Sequence, residues 1–175
     1  MRRALPLTLL TLLAGCGGRS YTASDGDSRY PGLSCVPFAR AVTGIDLHGN
    51  AADWWDRADG RYARLHSPRV GSIFVLARDG RLPYGHVSVV SRVAGPRRIE
   101  VVQANWVAGE LARDQPVVDV SEDGDWSSVR VWYPPIRAMG SHAYPALGFI
   151  VPDRPLGHDA LTERAPGAAE AAVGG

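Results

Sequence analysis

The spacing of apolar and polar positions changes once along this chain. In SCVPFARAVTGI, residues 34–45, Cys35, Phe38, Ala39 and Val42 recur at i, i+3, i+4 and i+7, which is one face of a helix. Ser34 stands at the N-cap position, and Gly44 stands where a left-handed residue would end the helix. Pro37 fits the first turn, where a missing N–H would have had no intrahelical partner. A second short helix is predicted over residues 51–58, closed by Gly60. After residue 70 the period drops to two. GSIFVLA (71–77), GHVSVVSRV (85–93), RRIEVVQANW (97–106), SSVRVWYP (127–134) and LGFIVP (147–152) are short runs of Val, Ile and aromatic residues punctuated by Gly and Pro. Helices first and strands afterwards predict an α+β fold, with N-terminal helices packed on an antiparallel sheet.

The ends of the chain lack such patterning. MRRALPLTLLTLLAGCGG opens with two arginines and an apolar run too short to cross a bilayer core of roughly 30 Å. It reads as a signal peptide over residues 1–15. Its ending LAGC resembles the lipobox of bacterial lipoproteins, which would be cut before Cys16 and carry lipid on that thiol. Residues 16–30 are polar and rich in Gly, Ser and Asp, and are expected to form a flexible tether. Residues 153–175 are dominated by Ala, Gly and Pro with few large apolar side chains, which predicts a disordered tail. One domain over residues 31–152 is expected between them. The expectation is a monomer exported to the bacterial cell envelope and held at the membrane by its lipid anchor.

Composition narrows the chemistry. The formal net charge is +1 and there is no lysine, so a nucleic-acid binder is not indicated and lysine-based catalysis is excluded. Two cysteines in an exported chain would normally suggest one disulfide, but a lipidated Cys16 leaves Cys35 as a lone thiol. A free thiol outside the cytoplasm is exposed to oxidation, so its presence points to catalysis. A thiol reacts as its thiolate, and the start of a helix favours that anion by only about 0.3–1 kcal/mol. An adjacent imidazole is therefore needed.

Of the five histidines, His48, His66 and His142 lie in polar, loop-like surroundings and His158 in the tail, where a solvated ring is expected. His86 instead follows Gly85 at the start of a strand, where the sheet fixes its direction and glycine leaves space for a substrate or a neighbouring backbone. A base of this kind needs a third group on its other nitrogen. Gln103 and Asn105, two apart on the next strand, would share a face and could supply it. Glu100 is an odd number of residues away and should face the opposite side. Asp53 and Asp56 read as solvated charges. One of Trp54 and Trp55 is expected in the core, and Trp106 is the candidate wall of a substrate cleft. No CxxC or HxxxH spacing suggests a metal, and no cofactor is expected.

The ordered series SCVPFAR, GNAADWW, PRVGSIFVL, GHVSVVSRV and VVQANW resembles the CHAP domain, the cysteine, histidine-dependent amidohydrolases/peptidases related to the NlpC/P60 cell-wall hydrolases. The resemblance spans about residues 33–106. It implies a papain-like fold with the cysteine heading a helix packed on a sheet that carries the histidine. It also implies peptidoglycan as substrate, Cys35 as nucleophile and His86 as base. Many members carry a glutamate and an asparagine that fall on Gln103 and Asn105, so here an amide replaces the carboxylate, and either residue could orient His86. The reaction implied is that of an N-acetylmuramoyl-alanine amidase or a stem-peptide endopeptidase. The alternative is a non-catalytic lipoprotein of the same fold that binds or scaffolds at the cell wall.

Overall fold

A computed structural model describes residues 29–174. The expected signal peptide, the expected lipid attachment at Cys16 and the expected tether up to residue 28 lie outside the described residues. The last two tether positions are fixed on the sheet. Arg29 bridges Glu110, and the Tyr30 amide donates to the Gly109 carbonyl at 2.7 Å. No helix among the described residues is long and apolar enough to cross a membrane.

Helix α1 (Cys35–Thr43) buries Phe38, Ala39 and Val42, the stripe expected from its spacing. Ser34 is extended at the N-cap position but caps through no side-chain bond; its carbonyl accepts from the Phe38 amide at 3.2 Å. Gly44 ends the helix at φ +74°, its amide bonded to the Arg40 carbonyl. The second predicted helix forms as a 3-10 turn (Ala51–Asp53) running into the single turn α2 (Trp54–Arg57).

Eight strands follow where five were expected: β1 (Ala63–Leu65), β2 (Ile73–Leu76), β3 (His86–Gly95), β4 (Arg98–Ala104), β5 (Leu111–Asp119), β6 (Ser128–Tyr133), β7 (Ala138–Met139) and β8 (Tyr144–Val151). They run antiparallel in the order β1-β8-β2-β3-β4-β5-β6-β7. A further pairing of β8 with β6 closes β2, β3, β4, β5, β6 and β8 into a barrel-like ring. The unpredicted β5 has the sequence LARDQPVVD, whose charges and internal proline count against a strand. It forms because β4 and β6 pair with it on both sides.

Alternation along the strands divides the interior in two. Phe74 and Leu76, Val90, Ile99 and Val101, and Val117 point into the barrel with Trp126 and Phe149. Ile73 and Val75, Val87 and Val89, and Val102 and Ala104 face outward, where α1 and the fully buried Trp54 cover them. Burying a side chain such as Phe38 completely contributes about 1.5–3 kcal/mol, enough to fix the position of α1 on the sheet.

The expected disordered tail is instead helix α3 (His158–Gly174), which packs against α1 and strands β3, β4 and β5. Leu161, Ala165, Ala168 and Ala169 are buried against the helix-side core, with Ala172 partly buried beside them. Ala is the best helix former, and its small side chain lets two helices approach closely. A composition poor in large apolar residues hides such a stripe because area is counted and spacing is not. The folded unit therefore continues past residue 152.

Candidate active site

Three elements bring the sequence-predicted chemistry together. Cys35 is the first residue of α1 and half-buried, His86 is the first residue of β3, and Gln103 lies near the end of β4. Gly85 holds the entry to β3 at φ +71°, a backbone conformation that disfavours side chains. A Cβ there would lie 2.6 Å from the Leu76 carbonyl oxygen, 2.7 Å from Ala52 Cβ and 2.8 Å from Ala52 N. The space left by Gly85 is thus filled by the protein's own 3-10 turn, whose Ala52 amide donates to Tyr84 O at 3.0 Å. This contact seats the residue that precedes His86.

His86 is 4 % exposed and Gln103 2 %. His86 Nε2 lies 2.9 Å from Gln103 Oε1. An amide oxygen only accepts, so Nε2 carries the proton and Nδ1 is the ring nitrogen left for Cys35. Gln103 Nε2 in turn donates to Gln115 Oε1. Burial pushes the Cys35 thiol up, but the charge of His86, its hydrogen bond and the Val87 and Val36 amides outweigh that, leaving the thiol below its ordinary value. A ring beside the thiol, with its second nitrogen held by an amide oxygen, is the geometry that thiolate–imidazolium chemistry uses.

Asn105 does not complete the expected pair. Strand β4 ends at Ala104 and the backbone turns at Asn105 with φ +62°, which breaks the shared face with Gln103. Asn105 is exposed, and its Oδ1 accepts from the Gly109 amide at 2.9 Å, closing the turn into β5. Asparagine suits that role because it tolerates the left-handed region. Gln103 is the amide on His86.

Trp106, the candidate cleft wall, packs against His86. Its ring meets His86 edge to face at 5.1 Å and Tyr144 at 5.2 Å, and its Nε1 donates to the Trp132 carbonyl at 3.1 Å. Trp106 also lines a pocket of about 260 Å³ whose other walls include Arg81, Tyr133, Ile136, His142 and Tyr144. Trp54 is the core member of its pair, while Trp55 is partly exposed beside His66 and Arg64.

The remaining candidates are occupied elsewhere. Glu100 is buried and pairs with Arg92 at 3.4 Å, Asp53 pairs with Arg78, and Asp56 is exposed. His48 pairs with Asp46 and His142 with Asp79. His158, expected in a loose tail, reaches Asp114 Oδ1 at 3.1 Å from the start of α3. Sequence reasoning missed Gln115, which lies on the unpredicted β5. The two glutamines lie on neighbouring strands, but no fixed spacing signals their contact.

A family model described as the CHAP domain matches residues 24–105, a span that includes Cys35, His86 and Gln103 and stops before β5. No curated protein is significantly similar to the chain.

Proposed function

We propose, from the CHAP-domain match over residues 24–105, which supports a hydrolase of peptidoglycan in general, that the chain is a cysteine amidohydrolase acting through Cys35 and His86. The observation that carries this reading is the buried contact of His86 with Gln103 beside a thiol held below its ordinary value. A cysteine-headed helix against a sheet that carries the histidine is also the papain-like arrangement. The Cys35 thiolate attacks an amide carbonyl of the cell wall, and backbone N–H groups at the start of α1 stabilise the oxyanion. The tetrahedral adduct collapses as His86 protonates the leaving amine, leaving a thioester on Cys35. His86 then takes a proton from water, whose oxygen attacks the thioester and releases the acid and the thiol.

The bond is either the muramoyl-alanine amide or one within the stem peptide. In this reading the chain is a monomeric lipoprotein of the cell envelope, exported and anchored through Cys16, so that its domain meets the wall near the membrane. The experiment is digestion of purified sacculi by the full chain, with mass analysis of the fragments and Cys35→Ala and His86→Ala as controls. New amino termini on the muramoyl-linked alanine identify an amidase, and termini elsewhere in the peptide identify an endopeptidase. Amine release that survives Cys35→Ala refutes the mechanism. The alternative of a wall-binding lipoprotein without turnover draws on Gln103, because an amide stabilises imidazolium less than a carboxylate does. Retention of sacculi with no fragment released would favour it.

A further inference from the structure

A line of buried amides runs inward from His86 and ends on a group without a partner. Gln115 is 1 % exposed; its Oε1 accepts from Gln103 Nε2, and its own Nε2 is buried with no hydrogen-bond partner among the described residues. Such donors are rare, because a buried N–H that lost its water and found nothing in exchange destabilises the fold. We propose that Gln115 is a positioning residue: it holds Gln103 with its oxygen toward His86, and so keeps the other ring nitrogen free for Cys35. The inference rests on the Cys35–His86 reading above.

The two ends of a primary amide have nearly the same shape and opposite polarity. A flipped Gln103 would present its NH2 group to His86 Nε2, which would then have to be an unprotonated acceptor. A neutral ring would carry its proton on Nδ1, facing the sulfur, and an imidazolium would face a donor. Both outcomes remove the ion pair. Gln115 Oε1 opposes the flip by accepting from Gln103 Nε2. With an apolar side chain at position 115, Gln103 would bury an unpaired NH2 in the working orientation or an unpaired oxygen in the flipped one. Unsatisfied carbonyls are tolerated better than orphaned N–H groups, so the flip would follow.

One irregularity of the sheet makes the contact possible. Gln103 faces Ala112 and Val101 faces Gln115, so β5 takes three steps while β4 takes two. The bulge contains Asp114 at φ +52°, held by the Ser91 hydroxyl at 2.9 Å and by His158 at 3.1 Å. The extra residue returns Gln115 to the face that Ala112 and Gln103 share.

The test is the pH dependence of Cys35 alkylation by iodoacetamide in the full chain carrying Gln115→Met or Gln115→Glu. It needs no cell-wall substrate, so it reads the positioning even if the hydrolase reading fails. Gln115→Met is expected to move the profile upward by about one pH unit, an approximately tenfold slower reaction on the rising limb. On sacculi it should lower kcat with little change in KM. Gln115→Glu is expected to keep the original profile, since its carboxylate accepts from Gln103 and leaves no NH2 over. A packing role predicts the reverse order, because methionine conserves volume and a buried carboxylate does not belong there. An unmoved profile in Gln115→Met, or an equal displacement in both variants, overturns the proposal. Should Gln115→Met fail to fold, the ¹⁵N spectrum of the unaltered chain decides: a protonated His86 Nε2 supports the proposal and an unprotonated one overturns it.

Discussion

Replacing Gly85 by alanine perturbs the site from behind, and Gly44 provides a matched control. Both residues have positive φ, +71° and +74°, so alanine carries a similar backbone cost at each, about 1–2 kcal/mol. Around Gly44 nothing among the described residues lies within 4 Å of a new Cβ, and that cost is the whole effect. At Gly85 the Cβ meets Leu76 O, Ala52 Cβ and Ala52 N at 2.6, 2.7 and 2.8 Å, distances at which something must shift. Two of these atoms are backbone and the third is a short, rigid Cβ. Overpacking of this kind adds about 1–3 kcal/mol, for a total of about 2–5 kcal/mol. Thermal unfolding measures the pair of variants, with each kcal/mol worth about 2–4 °C in a chain of this size. Gly85→Ala should therefore melt several degrees below Gly44→Ala. It should also slow Cys35 alkylation at neutral pH, because the displaced turn carries the start of β3 with it. Equal melting temperatures, or a normal thiol in a destabilised Gly85→Ala chain, would refute the claim that this contact seats His86.

Two further predictions concern the thiol and the C-terminal helix. Because the folded Cys35 thiol titrates below its ordinary value, alkylation should stay fast toward neutral pH and fall only as pH drops through that depressed midpoint. His86→Ala removes the charge and the hydrogen bond that oppose burial, so the midpoint should move upward; a stationary midpoint would contradict the ion pair. Leu161 is fully buried, and Leu161→Ala should cost about 2–5 kcal/mol in urea unfolding. A change under about 0.5 kcal/mol, as for a surface position, would mean that α3 does not pack as described.

The sequence was most legible where a local period meets a single face. The helix with Cys35 at its head, the 51–58 helix and five strands follow from apolar spacing and from Gly and Pro between runs. His86 stands out because a strand start fixes its direction. The misreadings have physical causes. Asn105 and Gln103 are two apart, but evenly alternating faces hold only while a strand lasts, and β4 stops between them. Helix α3 was obscured because its buried stripe consists mostly of alanines, which stabilise through close packing against α1.

By itself the sequence determined the α+β class and singled out Cys35 and His86, the thiol and the imidazole that the fold brings together, because each of these depends on neighbours within a turn or a strand. Tertiary structure alone decided how that histidine is held. The contact from His86 through Gln103 to Gln115 crosses three strands, and it depends on one extra residue at Asp114 that changes which face of β5 looks inward. Pairing across strands is set by register, and register follows from packing of the whole barrel, which no local pattern of polar and apolar residues specifies.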